Sequence, residues 1–416
     1  MPVEQAVTCG WFPAGMKDAE IAAAMGELQA LCRAAGAVVV GQAWQRRPAP
    51  DRRTLVGQGK VEELRQWIAA GGAGLVVFNN VLTTLQQRNL EDALGVKVID
   101  RSRLILDIFA TRARSQEGKL QVELAQLLYL LPRLTGKGVG LSRLGGGIGT
   151  RGPGETKLES DRRQIKDKIA RIRQKLKGVT RNRDLQRQNR RSLPVPLVSL
   201  VGYTSAGKST LFKTLTGEDV FISRELFATL DPLLRRVDLH DSHPGYYFIL
   251  SDTVGFIRDM PAELFTSFTA TLEEVRQADL LLHVIDWTHP DWTGQKREVE
   301  KVLRQLGVDP SRVIPVFNKI DLCRDRERPG AGDDPVFVSA TEGTGLAALK
   351  EEIFRRYFSD YGAYTVDVDD EQQLDALGRW AIVLEKSRVD AGFRAAVLCS
   401  REKMLQFRET HGGMIR

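Results

Sequence analysis

Residues 202–210 read Gly-Tyr-Thr-Ser-Ala-Gly-Lys-Ser-Thr, which fits the phosphate-binding pattern G-x-x-x-x-G-K-[ST]. An apolar run at 195–201 precedes this loop and a helix-compatible run at 211–215 follows it, as the pattern requires. Glycines let backbone N–H groups point at phosphate oxygens, and the following helix adds a positive dipole end. Lys208 can reach the β- and γ-phosphates, and the Ser209 hydroxyl can ligate Mg²⁺. The sequence therefore predicts a nucleoside triphosphate site with Mg²⁺ as its cofactor.

The base is indicated by Asn318-Lys319-Ile320-Asp321, which follows the apolar run 313–317. Asp321 can accept hydrogen bonds from both N1–H and the N2 amino group of guanine. Adenine offers neither donor, and a partly unpaired carboxylate would cost about 1 kcal/mol or more against ATP. We expect Asn318 to tie the loop together and the Lys319 stem to cover the ring. At 337–340 another strand ends, and N–H groups of Ser339 and Ala340 are candidates for the guanine carbonyl. These features predict GTP and GDP as ligands.

Two further segments are typical of nucleotide switches. Asp252 begins the D-x-x-G sequence at 252–255, and its carboxylate can hold Mg²⁺ through water, while the Gly255 N–H can sense the γ-phosphate. Thr229, in the loop 226–232, is our candidate for a second Mg²⁺-ligating hydroxyl. We expect its contact with Mg²⁺ to form with GTP and to be lost with GDP. Phe256 follows Gly255 where signalling GTPases usually place Gln. Because a phenyl ring cannot orient water, we predict slow intrinsic hydrolysis that a rearrangement or a partner must accelerate.

These arguments predict three sets of residues around the nucleotide. The catalytic set is Lys208, Thr229 and Gly255, and the Mg²⁺ ligands are Ser209, Thr229 and Asp252. The nucleotide contacts are Gly202, Tyr203, Thr204, Ser205, Ala206, Gly207, Lys208, Ser209, Thr210, Phe227, Ala228, Thr229, Asp252, Thr253, Val254, Gly255, Asn318, Lys319, Asp321, Ser339 and Ala340.

Length and composition exclude several classes of protein. A chain of 416 residues can hold about three domains, and its hydrophobic fraction of 42% is sufficient to form a buried core in each of them. No run approaches the roughly 20 apolar residues of a membrane span. We see neither a signal peptide nor a lipidation motif, and the four cysteines are isolated, so we expect a cytoplasmic protein without membrane insertion.

Charge is concentrated in one part of the chain. Residues 133–191 contain 18 Lys and Arg against five acids, a net charge of +13 in a protein whose total is +7. The rest is therefore mildly acidic, with a net charge of −6. A strongly cationic block on an acidic protein indicates a polyanionic partner.

This block has the pattern of a helical hairpin. Leucines at 120, 124, 127 and 131 form one apolar seam, and residues 158, 165, 169, 172 and 176 form another. The connection at 136–154 contains nine glycines, and its only charged residues are Lys137, Arg143 and Arg151. Long loops of this kind are usually functional or disordered. The charges of the second helix could also form an ordinary solvated face, but together with the glycine-rich loop they favour a nucleic acid partner. Folded RNA fits better than duplex DNA, because a flexible tip suits irregular folded RNA. The predicted RNA contacts are Lys137, Arg143, Arg151, Lys157, Arg162 and Arg163.

The stretch 145–163, followed by Gly-Tyr-Thr-x-Ala-Gly-Lys-Ser-Thr, resembles the HflX family of translation-factor-class GTPases. The segments 57–64, 226–232, 252–257 and 278–286 match that family in the same order. The resemblance implies a GTPase that binds the large ribosomal subunit near its peptidyl-transferase region and splits stalled ribosomes, notably under stress. Ser205, Leu233 and residues 222–225 depart from the family pattern in or near the first switch and leave the predicted Mg²⁺ ligands in place.

Together these patterns predict an α/β multidomain protein with a P-loop GTPase domain on a mostly parallel sheet. We expect an N-terminal α/β domain at 1–110, a basic antiparallel helical hairpin at 111–191, the GTP-binding domain at 192–358 and a small α/β appendage at 361–416. Residues 57–60 resemble a partial phosphate loop without its Ser or Thr, and we expect a structural turn there. The leading function is a monomeric ribosome-splitting or rescue GTPase. The alternative is a GTP-gated ribosome-assembly or RNA-remodelling factor that splits nothing.

Overall fold

The computed structural model describes residues 4–136, 153–191, 194–217, 233–239, 242–253, 255–258, 261–267, 269–323, 335–389, 392–411 and 414–415. Contacts divide the chain into two compact units. The first comprises Met1–Lys177, Ser223–Leu230 and Asp259–Thr269, and the second comprises Gly178–Ile222, Asp231–Arg258 and Ala270–Arg416. The four domain ranges given above remain predictions.

The first unit begins with a four-stranded parallel sheet in the order β2-β1-β3-β4. Its elements are β1 (Gln5–Phe12), α1 (Asp18–Ala34), β2 (Val38–Arg46), α2 (Gln58–Gly71), β3 (Leu75–Phe78), α3 (Thr84–Leu94), β4 (Lys97–Asp100) and α4 (Arg101–Arg112). The apolar runs at 37–40, 75–79 and 97–100 predict strands, and β2, β3 and β4 lie there. β1 was not predicted, and Thr8 and Gly10 interrupt its apolar pattern. Gly57 is the N-cap of α2, and its N–H donates to Gln45 Oε1 at 2.7 Å, so this segment forms a helix start.

Two helices follow, α5 (Gln116–Leu130) and α6 (Pro153–Arg191), and they pack along the predicted apolar seam. Leu124, Leu127, Ile169 and Ile172 are buried at this seam. An ion pair of 2.6 Å joins Lys168 of α6 to Glu123 of α5. Apolar residues recur at helical spacing on both helices, and burying them against each other leaves the charged face of α6 exposed.

The first turn after α5 is fixed by a buried polar cluster around Asp100, which is 1% exposed. The Asp100 carboxylate accepts hydrogen bonds from the Tyr129 hydroxyl at 2.9 Å and from the Leu82 N–H at 3.1 Å. Arg133 donates to the same carboxylate at 3.2 Å, and its guanidinium lies 3.5 Å from the centre of the Tyr129 ring. A buried carboxylate is stable only when paired in this way, so the cluster fixes the end of α5 to the sheet.

The second unit contains a six-stranded sheet in the order β10-β9-β8-β5-β7-β6, parallel except for the antiparallel edge strand β6. Its strands are β5 (Leu197–Gly202), β6 (Leu233–Asp238), β7 (Tyr247–Asp252), β8 (Leu280–Asp286), β9 (Val313–Asn318) and β10 (Val336–Phe337). The helices of this unit are α7 (Lys208–Thr216), α9 (Thr269–Gln277), α10 (Trp292–Gln305) and α11 (Leu346–Tyr357), and α8 (Ala262–Ser267) lies between α7 and α9 in the sequence. Residues 259–269, which contain α8, cluster with the first unit. This region confirms the predicted mostly parallel GTPase sheet.

The C-terminal elements form a second sheet of the same unit, antiparallel and in the order β12-β13-β11-β14. They are β11 (Tyr361–Val368), α12 (Glu371–Trp380), β12 (Ile382–Val389), β13 (Gly392–Ser400), α13 (Arg401–His411) and β14 (Met414–Ile415). The β-α-β-β-α-β order is that of a ferredoxin-like fold. The helix-compatible pattern of residues 371–384 predicts one helix over that range, which is wrong, because α12 ends at Trp380 and β12 pairs with β13. No described helix has the length and apolar character of a membrane span.

Replacing Tyr129 with Phe removes one donor from the buried Asp100 carboxylate while keeping the ring. We expect a local loss of about 1–2 kcal/mol, seen as roughly five- to thirtyfold faster hydrogen exchange of the α5 amides. The matched control is Tyr247→Phe, a half-buried tyrosine of β7, which should leave α5 unchanged. Equal α5 exchange in the wild type and Tyr129→Phe would contradict the proposed anchoring.

Candidate nucleotide-binding site

The predicted phosphate loop joins the carboxyl end of β5 to α7, and its glycines are sterically required. Gly202 has φ +152°, and a Cβ there would lie 2.3 Å from the Val284 carbonyl oxygen. Gly207 has φ +93°, and a Cβ there would lie 2.2 Å from Asn318 Nδ2. Side chains are therefore excluded at both positions. Ser205 adopts φ +61° without being glycine, which marks a backbone held by its surroundings.

Lys208 is buried at the centre of this loop. Its ammonium donates to the Tyr203 carbonyl at 2.8 Å and to the Gly202 carbonyl at 3.1 Å. Burial lowers the pKa of Lys208 to about 8, and the nearby Asp252 carboxylate opposes that shift. A Cβ at Gly255 would lie 3.0 Å from Lys208 Nζ, so the D-x-x-G segment lies directly against this ammonium. The predicted catalytic Lys208 and Gly255 are thus adjacent.

The Mg²⁺ ligands predicted from the sequence are partly described. Ser209 Oγ donates to Asp252 Oδ2 at 2.9 Å, so a hydroxyl and a buried carboxylate meet beside the phosphate loop. Hard oxygen donors of this kind suit Mg²⁺, which uses one or two protein ligands plus phosphate oxygens and water. The site fits the ion, and Ser209 and Asp252 would hold it. When bound, Mg²⁺ would neutralise charge that develops on the phosphates. Phe227, Ala228, Thr229 and Val254 lie outside the described residues.

Asn318 connects three segments of the site. Its Nδ2 donates to the Ala206 carbonyl at 2.9 Å, and its Oδ1 accepts from the Ala340 N–H at 3.0 Å. The side chain is buried, so both bonds are made away from water. The Thr214 hydroxyl of α7 adds a bond of 2.6 Å to the Ala340 carbonyl. The phosphate loop, the N-K-x-D loop and the segment after β10 are therefore one hydrogen-bonded assembly.

The loop for the base is arranged around Lys319 and Asp321. Lys319 has φ +68°, and its ammonium lies 2.6 Å from Asp286 Oδ2. Within the described residues the Asp321 carboxylate accepts no hydrogen bond, which leaves its oxygens available to a base. The Ser339 N–H donates to the Thr344 carbonyl at 2.9 Å, and the Ala340 N–H is used by Asn318. In this structure these two groups close the loop, and their contact with guanine remains a prediction.

The segment after β7 is attached to the phosphate loop through Phe256. Its N–H donates to the Gly202 carbonyl at 3.0 Å, and its carbonyl accepts from the Thr204 N–H at 2.8 Å. The Phe256 ring is 2% exposed and belongs to the core. Two residues on, the Arg258 N–H donates to the Tyr203 hydroxyl at 2.7 Å, and its guanidinium pairs with Asp291 at the same distance. The position of a catalytic Gln is thus occupied by a core side chain.

Sequence reasoning missed several residues that support the site. These are Thr214, Arg258, Asp286 and Asp291, together with an aromatic cluster of Trp287, Trp292, Phe317 and Phe337 beside the N-K-x-D loop. Asp286 could have been found, because it is a carboxylate at the carboxyl end of a strand next to β5 and β9. In parallel sheets these strand ends meet at one edge, where ligands bind. The others show no sequence signal.

A phosphate-binding loop, adjacent oxygen ligands for Mg²⁺ and an N-K-x-D loop on one edge of a parallel sheet define a P-loop GTPase. Three family profiles match consecutive parts of the chain: "GTP-binding GTPase N-terminal" at residues 22–110, "GTP-binding GTPase Middle Region" at 112–190 and "50S ribosome-binding GTPase" at 197–319. The chain belongs to the HflX family of GTPases. It therefore binds GTP and GDP and hydrolyses GTP.

Individual relatives are similar over most of their length. The GTPase HflX of Caldanaerobacter subterraneus subsp. tengcongensis is 52% identical over 336 residues, which cover 81% of this chain and 77% of that protein. The GTPase HflX of Escherichia coli (strain K12) is 43% identical over 368 residues, which cover 87% and 85%. Among solved structures, a GTP-binding protein from the archaeon Sulfolobus solfataricus in complex with GDP is 23% identical, with a TM-score of 0.43 over 86% of this chain and 99% of that one.

The lowered pKa of Lys208 predicts a pH dependence of nucleotide binding. Phosphates favour the charged ammonium, so above about pH 8 binding must be accompanied by proton uptake at Lys208. We expect GDP affinity to fall by up to about tenfold per pH unit between pH 8 and 9, relative to a flat region at pH 7. Calorimetry in buffers of different ionisation enthalpy measures the proton uptake. Lys208→Arg is the control, because its guanidinium stays charged, and an equal pH dependence in both proteins would refute the assignment.

Proposed function

We propose that this GTPase binds the large ribosomal subunit and uses GTP binding and hydrolysis, with Mg²⁺, to split or rescue stalled ribosomes under stress. The observation that carries this proposal is the joining of a GTP site to a cationic helical hairpin in one chain. The "50S ribosome-binding GTPase" profile and the relatives named GTPase HflX support it.

The hairpin offers charge to RNA where the structure describes it. The exposed cations of α6 include Arg162, Arg163, Lys166, Arg171, Arg173, Lys175 and Lys177. Of the predicted RNA contacts, Arg162 and Arg163 are therefore accessible on α6. Lys157 lies in α6, but its side chain is outside the described residues, as are Lys137, Arg143 and Arg151. Cations held on a rigid helix bind phosphates with less entropy loss than cations on a flexible tail.

Nucleotide state would control this interaction through the switch segments. With GTP, Gly255 beside Lys208 and the predicted ligand Thr229 would contact the γ-phosphate or its metal ion. Loss of the γ-phosphate removes those contacts and releases the protein. The buried Phe256 supplies no group that orients water, so we propose slow intrinsic hydrolysis and stimulation by the ribosome.

Replacing residues 136–154 with a short Gly-Ser linker should weaken binding to large ribosomal subunits by roughly tenfold or more, because it removes three cations and the tip that reaches RNA. GDP affinity should be unchanged, since the tip is remote in sequence from every nucleotide contact. Binding is measured by co-sedimentation at two salt concentrations. The control Arg297→Gln/Lys301→Gln removes exposed cations from α10, and a similar loss in both variants would contradict a specific role of the tip.

Ribosome splitting is tested by sedimenting intact ribosomes with saturating protein and GTP. We expect subunits to appear with GTP or a non-hydrolysable analogue and intact ribosomes to persist with GDP. Intact ribosomes in every nucleotide state, together with retained binding to large subunits, would instead favour an assembly or RNA-remodelling factor.

A further inference from the structure

We propose that Asp286 is a positioning residue for guanine recognition, and that it acts by keeping the Lys319 ammonium away from Asp321. Asp286 is the last residue of β8 and belongs to neither the phosphate loop, the D-x-x-G segment nor the N-K-x-D segment. The inference concerns base selection by the GTPase itself, so it is independent of the ribosomal function proposed above.

The Asp286 carboxylate is fixed by bonds to both of its oxygens. Oδ1 accepts from the Thr288 N–H at 2.9 Å and from the Thr288 hydroxyl at 2.6 Å. Oδ2 is thereby directed at Lys319 Nζ, 2.6 Å away. The Asp286 side chain is 13% exposed and the Lys319 side chain 30% exposed, so solvent screens this pair less than a pair on the open surface. Rotating the carboxylate would break all three contacts.

The end of β8, where Asp286 lies, is itself attached to the N-K-x-D loop. In the sheet register Asp286 is opposite Asn318, and the Trp287 N–H donates to the Asn318 carbonyl at 3.0 Å. The Trp287 ring packs edge-on against Phe317, with 5.0 Å between centroids. Ile320 packs against the same aromatic cluster. Asp286 and the loop it faces are therefore parts of one rigid frame.

Lys319 needs such a partner because of its conformation and its neighbour. Its left-handed backbone is unfavourable for a residue with a side chain, and its four-carbon stem is flexible. Two residues on, Asp321 must present a carboxylate without a protein partner to the guanine N1–H and N2 amino group. An ammonium without Asp286 would be attracted to Asp321 and compete with the base for its oxygens. The Asp286 pair satisfies the ammonium elsewhere and leaves Asp321 open.

Asp286→Asn tests this, because the Asn carbonyl keeps the Thr288 bonds while the charge is lost. Fluorescence titration should give roughly tenfold weaker GDP binding. The affinity ratio of GDP to IDP should also fall, because guanine places two donors on Asp321 and hypoxanthine only one. In a Lys319→Met background, where no ammonium is present, adding Asp286→Asn should change neither the affinity nor the ratio.

Asp367→Asn is the matched control, since it removes an Asp–Arg394 pair of 2.7 Å from the C-terminal sheet. It should leave GDP and IDP binding as in the wild type. Equal losses of GDP and IDP affinity in Asp286→Asn would overturn the selectivity role. Additive losses in the double variant would show that Asp286 does not act through Lys319. Unchanged GDP affinity in Asp286→Asn would remove the proposal altogether.

Discussion

The nucleotide site depends on one buried carboxamide, that of Asn318. It donates to the phosphate loop at Ala206 and accepts from Ala340, so it joins the phosphate loop to the N-K-x-D loop and to the segment after β10. The Asn318 side chain also explains why residue 207 is glycine, because Asn318 Nδ2 occupies the space that a Cβ would need. An amide in this position must satisfy both its donor and its acceptor, since each group left unpaired away from water costs about 1–3 kcal/mol. Asn318 therefore holds the phosphate loop, the end of β9 and the segment after β10 together.

The sequence was sufficient to predict the GTPase sheet and the edge of it at which the motifs meet. Its motifs come directly after buried strands, and parallel strands bring such ends to one edge, so Lys208, Asp252 and Asn318 had to converge. The hairpin seam was also predictable, because apolar residues at helical spacing form one face of a helix, and such a face is buried against a neighbouring element. In both cases the decisive information is local in the sequence.

Other features could not be read in this way because they depend on pairing between remote segments. β1 lacks a continuous apolar pattern and is a strand because β2 and β3 lie on either side of it. Residues 382–389 carry a mostly exposed, charged pattern, and only pairing with β13 decides that they are not helix. Likewise, the sequence predicts that Lys319 covers a base, but it gives no sign that Asp286, 33 residues earlier, receives its ammonium. The partners of polar groups that are distant in sequence can be identified only from the folded structure.

Phe256 links the segment after β7 to the stability of the core. Signalling GTPases usually place Gln at this position. Here the same position contributes a buried ring and two backbone bonds to the phosphate loop. Any polar replacement would first lose the burial free energy of a phenyl ring, about 3 kcal/mol or more, before it could assist the chemistry. A change of hydrolysis rate through this position is therefore tied to the stability of the GTPase core.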